Sequence, residues 1–313
     1  MTGPPRAALY RPVRRVDGRA VRARDEDAFT LAATVMERLV RGLPPPARWE
    51  LVTTGAARDV PDPMYALLLG TAVHRREASS SQSLPSALPT LHVAVELSGP
   101  EAGEDRAVAV RGDVRDGAVP APTAERLWQE VQQLGPEEVV RLGGAEPRVG
   151  AAVGPPLASA KPRDELGRVS EGALLPHARY LEGVPSHWRL EGEQCGECGR
   201  VGFPARGRCR GCGRSDRLTT HSFPFDGHSV VATTRIGPGA QPTEFDAQVD
   251  QSGGYQVVLA ELGPTARATL QATDPELGPI SLGDRVATAL RRTYAMEGEW
   301  RYARKAFPDR PVG

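Results

Sequence analysis

The stretch CGECGRVGFPARGRCRGC, residues 195–212, contains every cysteine of the chain and decides how its second half folds. The four residues form two C-x2-C pairs separated by ten positions: Cys195, Cys198, Cys209 and Cys212. Two residues between thiolates allow both sulfurs of a tight turn to reach one ion, and a second such turn completes a tetrahedral site. A glycine follows each pair, Gly199 and Gly213, where a knuckle turn needs positive φ. The pattern predicts a structural zinc site.

The rival interpretation of these cysteines is a redox pair or two disulfides. We expect a cytosolic chain, in which stable disulfides are disfavoured, and a redox C-x-x-C would not need a matching second pair. Four thiolate ligands leave a zinc ion no open position, so the metal would hold a fold and not activate water. With all four cysteines so used, no thiol is left for covalent acyl transfer.

Bulk composition narrows the class of protein. The 313 residues are enough for two domains, and 40% are hydrophobic and 25% charged, as in soluble globular proteins. Basic and acidic residues number 39 each, whereas nucleic-acid-binding proteins usually carry a basic excess. No run approaches the roughly 18 apolar residues that cross a bilayer. The first residues lack the apolar core of a secretory signal, so we expect a cytoplasmic protein.

In the first half, helical and strand patterns alternate, which is typical of an α/β layer. Helices are predicted at 25–41, 62–74 and 123–134, and strands at 49–55, 90–98 and 106–114. The helix at 25–41 carries one apolar stripe and begins with Asp25, Glu26 and Asp27, which suit the positive end of its dipole. We assign residues 1–135 to this domain and 136–172, rich in Gly, Pro and Ala, to a linker.

The second half begins with a helical lead-in and the zinc ribbon, which we assign to residues 173–218. Beyond Cys212 the pattern becomes that of strands, predicted at 229–236, 254–262, 266–273, 284–294 and 299–307. Five short strands after a ribbon fit an OB-type barrel, a partly open Greek key, over residues 219–313. The predicted fold class is thus multidomain α+β.

These residues, as an ordered set, resemble the zinc-ribbon/OB-fold acyl-CoA-associated proteins, long known as a domain of unknown function. The set consists of an aromatic-plus-arginine lead-in, two C-x2-C knuckles with Phe203, Pro204 and Arg206 between them, V-L-A-E-L at 258–262, Asp274-Pro275, Gly283-Asp284 and W-R-Y-A-R-K-A-F at 300–307. The likeness spans about residues 175 to 308. It implies a rubredoxin-like ribbon, an OB barrel, structural Zn2+ and an accessory role beside thiolases, acyltransferases or hydratases.

The first half resembles the opening of archaeal-type hydroxymethylglutaryl-CoA synthases, which have the thiolase fold. The likeness rests on the phrase D-E-D-x2-T-x-A, here Asp25, Glu26, Asp27, Thr30 and Ala32. Those enzymes are longer and use a cysteine nucleophile, and no cysteine precedes the ribbon. The resemblance therefore implies a degenerate, truncated thiolase-like α/β domain without catalytic activity.

Several side chains invite a functional interpretation beside a structural one. Between residues 189 and 217 there are seven arginines and four acidic residues; Arg206, Arg208 and Arg210 are candidates for contact with the phosphates of coenzyme A. An acidic partner, nucleic acid or plain solvation would suit the same charges. Trp188 is predicted to pack against the zinc knuckles, with stacking on a ligand as the alternative. The six histidines lie in no catalytic motif.

The first hypothesis is a non-catalytic accessory or scaffold subunit. As the resemblance implies, it would bind a thiolase-fold enzyme or an acyl-CoA hydratase and assist the binding or channelling of acyl-CoA. The second is a zinc-ribbon/OB module that binds nucleic acid, with barrel aromatics Tyr255, Tyr294, Trp300 and Tyr302 as stacking candidates. The third is a thioester enzyme with a nucleophile other than cysteine, for which the sequence names no catalytic residues. We expect no membrane partner.

Overall fold

The computed structural model of the chain describes residues 7–11, 15–16, 19–20, 25–40, 46, 48–76, 90–96, 106–112, 139–143, 177–274, 277–296 and 299–309. The chain divides into two units, Met1–Ala152 and Val153–Gly313. Both contain helices and sheets, so the architecture is mixed α+β with several sheets.

The first unit is built on a six-stranded mixed sheet. Its elements are β1 (Ala7–Arg11), β2 (Arg15–Val16), β3 (Arg19–Ala20), α1 (Ala28–Val40), β4 (Arg48–Gly55), α2 (Asp62–Leu69), β5 (Ala72–Arg76), β6 (Thr90–Glu96), β7 (Arg106–Gly112) and β8 (Val139–Gly143). The order in the sheet is β5-β4-β6-β7-β1-β8. β4 runs parallel to β5 and β6, β1 runs parallel to β8, and β7 is antiparallel to both neighbours.

Helix α1 covers this sheet, and its start has a local cause. The Asp27 carboxylate accepts the N–H of Thr30 at 2.9 Å, and the Thr30 hydroxyl accepts the N–H of Asp27 at 2.7 Å. This reciprocal cap satisfies donors that a helix start leaves open. The predicted apolar stripe is buried: Leu31, Val35 and Leu39 are each 0% exposed. The prediction of a helix here is confirmed, over Ala28–Val40.

Two predictions for the first half need correction. The helix expected at 62–74 ends at Leu69, because Gly70 adopts a left-handed conformation (φ 68°) that favours glycine and terminates helices. The chain then forms β5, which pairs with β4. Within the predicted linker, 136–172, the five residues Val139–Gly143 form a strand paired with β1. The remainder of that segment, and the helix predicted at 123–134, lie outside the described residues.

The second unit consists of a helix, a three-stranded ribbon and a five-stranded sheet. Its elements are α3 (His177–Arg189), β9 (Glu191–Cys195), β10 (Val201–Gly202), β11 (Leu218–Ser222), β12 (His228–Ile236), α4 (Asp246–Ser252), β13 (Tyr255–Gly263), β14 (Ala266–Gln271), β15 (Arg285–Met296) and β16 (Glu299–Pro308). The five strands predicted after the ribbon are all present, within two residues of their expected ends.

The five-stranded sheet has the order β14-β13-β12-β15-β16, and all its ladder pairs are antiparallel. Its two outer strands meet where Ala272 forms a parallel bridge with Ala306, and the N–H of Thr273 donates to the Ala306 carbonyl at 2.8 Å. The next residue, Asp274, lies 3.3 Å from the Arg291 guanidinium, and both are almost fully buried. This ion pair fastens the turn after β14 to β15.

The ribbon shares its apolar contacts with the sheet. Leu190, just before β9, and Phe223, just after β11, belong to the same buried cluster as Val258 and Val286 of the five-stranded sheet. The Thr265 hydroxyl, in the turn between β13 and β14, donates to the Val201 carbonyl of β10 at 2.6 Å. Ribbon and sheet are therefore one packed body.

Helix α3 is fastened to β16 through Trp188, and not to the zinc knuckles as the sequence had predicted. The Trp188 indole N–H lies 2.9 Å from the Tyr302 carbonyl and 3.1 Å from the Tyr180 hydroxyl. The same hydroxyl accepts the Tyr302 N–H at 2.9 Å. Trp188 is 2% exposed, which also excludes ligand stacking on its ring.

Among the described residues, no helix combines the length and apolar character needed to span a membrane.

The Tyr180 hydroxyl gives a direct test of this fastening. Tyr180→Phe removes one oxygen. The buried N–H of Tyr302 loses this acceptor, and the Trp188 indole N–H keeps only the Tyr302 carbonyl. We expect a loss of about 1–3 kcal/mol in the free energy of unfolding, measured by urea unfolding followed by tryptophan fluorescence. Tyr294→Phe is the matched control. The Tyr294 ring packs on Phe245, but its hydroxyl makes no hydrogen bond within the described part of the chain. This substitution should change the free energy of unfolding by no more than about 0.5 kcal/mol. Equal midpoints for the two variants would contradict the assignment.

Candidate metal centre

The two cysteine pairs form two turns with the same backbone pattern. In the first, the N–H of Cys195 donates to the Arg200 carbonyl at 2.9 Å and the N–H of Gly199 donates to the Cys195 carbonyl at 2.8 Å. The second turn repeats both bonds fourteen residues later, at 2.8 Å and 3.0 Å. The glycines that follow the pairs have φ of 71° and 77°, which confirms the predicted need for positive φ. Each turn thus presents its two sulfurs toward the other turn.

The sulfur positions fit a tetrahedral ion. All four Sγ atoms lie within 4.8 Å of one another. The Sγ atoms of Cys195 and Cys212 are 3.6 Å apart, and those of Cys198 and Cys209 are 3.5 Å apart. Zinc–sulfur bonds of about 2.3 Å in a tetrahedron require sulfur separations of about 3.8 Å. The donor set, four sulfurs without oxygen or nitrogen, is that of a structural zinc site, and the arrangement is compatible with one.

The electrostatics of the cluster favour a cation. Backbone N–H groups of Cys212 and Gly211 stabilise the thiolate of Cys209 and lower its pKa to about 6. The N–H of Arg214 lowers the pKa of Cys212, but partial loss of hydration and hydrogen bonds with the other three thiols raise it more, to about 11. Once one thiolate is present, a second one so close is unfavourable. A divalent ion removes this conflict, because it lets every thiol lose its proton.

The centre lies at the outer end of the ribbon. Cys195 and Cys209, the first cysteine of each pair, are buried, whereas Cys198 and Cys212 are exposed. Within the described ranges, these four residues form the one group of three or more histidine, cysteine or acidic side chains close enough to share a metal ion. Histidines take no part: His221 lies against the Phe223 ring, and His228 is buried with Nε2 2.7 Å from the Pro224 carbonyl.

Sequence reasoning missed a buried carboxylate that shapes the loop between the knuckles. Glu193 lies on β9, two residues before the first cysteine, and is 8% exposed. Its Oε2 accepts the N–H of Arg206 at 3.1 Å and of Gly207 at 2.9 Å. Bonds to a charged acceptor are stronger than neutral ones. The loop that carries the candidate arginines is therefore held in place by a side chain on the strand beneath it. The sequence signal that could have identified this carboxylate is an acidic residue at a position of β9 that is expected to be buried.

The structure separates the candidate arginines by what their side chains do. Arg206, Arg208 and Arg210 are all exposed. Arg208 is engaged locally, because its Nε donates to the Gly213 carbonyl at 2.9 Å. Arg206 and Arg210 have no side-chain hydrogen bond or ion pair with any residue described. The same is true of Arg200, which the sequence did not single out.

The chain is similar in sequence to a curated protein, over most of that protein's length. A protein of Methanothermobacter thermautotrophicus named a DUF35 domain-containing scaffold protein is 32% identical over 120 residues, which are 37% of this chain and 81% of that protein. A solved structure named an Ltp2-ChsH2(DUF35) aldolase aligns with 42% of this chain and 97% of its own, with 19% identity and a TM-score of 0.31; a likeness of that size carries no argument. No family model matches the chain.

The metal content can be measured directly. We expect the purified chain to carry one zinc ion, and a Ser substitution at any one of the four cysteines to abolish its retention, because the site needs all four thiolates. Bound metal is measured by plasma mass spectrometry after dialysis. Affinity should fall as the pH is lowered, since each thiolate then regains a proton. A metal-free chain whose circular dichroism does not respond to added zinc would contradict the site.

The knuckle glycines can be tested apart from the sulfurs. Gly199→Ala adds a methyl group into open space, so its cost is the left-handed backbone alone, about 1–2 kcal/mol. We expect a weaker retention of zinc against a chelator such as EDTA. Gly237→Ala, also in open space but without positive φ, is the matched control and should behave as the parent. An unchanged chelation rate in Gly199→Ala would show that the turn tolerates other conformations.

Proposed function

The chain belongs to the DUF35 domain family, and from that premise we propose that it is a non-catalytic scaffold subunit, which binds an enzyme of acyl-CoA chemistry and assists its handling of acyl-CoA. The observation that carries the proposal is the relative named a scaffold protein, which shares 32% identity across 81% of its length. Since a scaffold needs a stable surface rather than reactive groups, the candidate metal centre suits this role.

The position of all four cysteines in one cluster supports a non-catalytic role. All four cysteines of the chain belong to the ribbon cluster, so zinc binding would leave no thiol to accept an acyl group. In this proposal Cys195, Cys198, Cys209 and Cys212 bind structural Zn2+, and the ion holds the two turns as a rigid surface. A closed four-thiolate site provides no position at which a substrate could be activated.

We propose that the five-stranded sheet is an OB-type barrel. The first strand, β12, pairs with the second and the fourth, and the third approaches the fifth in parallel at Ala272 and Ala306. This pairing supports a five-stranded, partly open Greek key. With the ribbon packed on it, the barrel would be the body that meets the partner.

The proposal extends to the kind of enzyme that the chain binds and to the role of the first unit. The resemblance stated for residues 175 to 308 favours a thiolase-fold enzyme or an acyl-CoA hydratase as partner. We infer that the first unit is a degenerate thiolase-like domain that pairs with an active relative, since its D-E-D-x2-T-x-A phrase begins helix α1. Coenzyme A would then be bound together with the partner enzyme, which contributes the catalytic residues.

The structure weakens the nucleic-acid alternative. A single-strand platform needs exposed aromatic rings along a basic groove. Tyr255 and Tyr302 are each only 7% exposed, and the Tyr255 ring packs against Phe245. Two of the four stacking candidates are therefore not available to bases, and the balanced charge of the chain provides no broad basic field.

Capture from the cells that make the protein tests the proposal. The tagged chain, purified with and without added coenzyme A, should retain an enzyme that acts on acyl-CoA in stoichiometric amount, identified by mass spectrometry. The isolated chain should release no free thiol from acetyl-CoA or acetoacetyl-CoA above the blank. Recovery of the chain alone, or with nucleic acid, would contradict a scaffold role, and thiol release by the pure chain would make it a thioester enzyme.

A further inference from the structure

The arginines of the ribbon divide into two sets, and the division points to a docking surface. From Cys195 to Arg217 the chain carries six arginines and two acidic residues. Three arginines have partners within the ribbon: Arg214 with Asp216 at 2.5 Å, Arg217 with Glu197 at 3.3 Å, and Arg208 with the Gly213 carbonyl. Both of these acidic residues are thereby used, and the other three guanidinium groups form no ion pair with any residue that the structure describes.

These three remaining arginines, Arg200, Arg206 and Arg210, lie on ordered backbone. Arg200 ends the first knuckle, where its carbonyl accepts the N–H of Cys195. Its side chain then crosses the second knuckle, because a Cβ placed on Gly211 would lie 3.1 Å from its Cδ. Arg210, the neighbour of Gly211 in sequence, stands at the same knuckle. Arg206 is held through its N–H by the buried Glu193.

We propose that Arg200, Arg206 and Arg210 form the surface through which the ribbon docks on an acidic patch of the enzyme that this scaffold binds. The inference rests on the proposed function, because it names the part of the chain that meets the partner. Arginine is enriched at protein interfaces, and a backbone fixed by the metal centre and by Glu193 lowers the ordering cost of binding.

The exposure of the three arginines favours a protein partner over the alternatives. A pocket for a cofactor usually buries most of the ligand among converging groups, whereas Arg200, Arg206 and Arg210 are all exposed on the ribbon. A nucleic-acid surface would need a larger basic excess or stacking rings. A small set of exposed arginines without ion pairs is instead suited to electrostatic complementarity between proteins.

Two triple variants test the surface without removing any metal ligand. The first is Arg200→Ala, Arg206→Ala and Arg210→Ala. The matched control is Arg179→Ala, Arg235→Ala and Arg267→Ala, which removes the same charge from exposed positions outside the ribbon. Both must keep their zinc content and circular dichroism. The probe is the enzyme identified by capture, purified and titrated against each full-length chain by calorimetry.

We expect the ribbon variant to bind the enzyme at least about tenfold more weakly than the parent, and the control to stay within about threefold. Binding of the parent should also weaken as salt is raised from about 50 mM to about 300 mM. A ribbon variant that binds within about threefold of the parent overturns the inference and leaves the proposed function standing. An equal loss in the control overturns it as well, since the effect would then be one of total charge.

Two further titrations test whether coenzyme A or nucleic acid, rather than the enzyme, binds to the three arginines. Coenzyme A and a labelled single-stranded oligonucleotide are each added to the three chains. If the ribbon variant loses either of these ligands but retains the enzyme, the surface belongs to that ligand and the inference is wrong. If capture yields no enzyme from any chain, the proposed function fails and the inference fails with it.

Discussion

Four sulfur atoms within 4.8 Å of one another are the constraint on which the ribbon depends. Thiolates at this separation repel one another. The other three thiols raise the pKa of Cys212, whereas backbone N–H groups lower the pKa of Cys209. In the absence of a cation, at least some of the four thiols would have to stay protonated. The two turns would then lack the shared ligand that draws their sulfur atoms together. A divalent ion reverses the balance, since the same four charges then become its ligands. With zinc as the ligand of these sulfurs, folding of the ribbon tip would therefore be coupled to metal binding.

The ribbon has little apolar material of its own, and this explains where its other contacts lie. The buried residues of β9 are Gly192, Glu193 and Cys195, which cannot form a hydrophobic core. Apolar burial comes from its two ends, Leu190 and Phe223, which join the cluster of the five-stranded sheet. Gly192 is required because a Cβ there would lie 2.2 Å from the Gly202 carbonyl oxygen. Shared packing at one end, and the proposed zinc ion at the other, would thus replace a core that a module of this size cannot build.

Those features that depend on local chemistry could be predicted from the sequence. The cysteine spacing and the glycines after each pair identify the two turns, because few residues other than glycine adopt positive φ. The sequences of strands β12 to β16 alternate as half-buried strands do, and this pattern predicts both ends of each strand to within two residues.

Features that depend on distant partners could not be predicted. Trp188 contacts Tyr302, more than a hundred residues later, and Val139–Gly143 pairs with the first strand of the chain; neither segment carries a local signal of its partner. Glu193 was overlooked because a carboxylate in a strand normally indicates a solvent face.

The near-repeat of the two knuckles shows where function can be separated from folding. Both turns have the form C-x-x-C-G-R, and both make the same backbone bonds, so the metal centre itself needs only the shared residues. The arginine that ends each turn differs in its environment: Arg214 is paired with Asp216, whereas Arg200 is not paired with any acidic residue that the structure describes. Because exposed pairs contribute little to stability, this difference has little effect on folding and is consistent with the docking role proposed for Arg200. In the proposed scaffold, the residues that repeat would bind the metal ion, and Arg200, which breaks the repeat, would contact the partner.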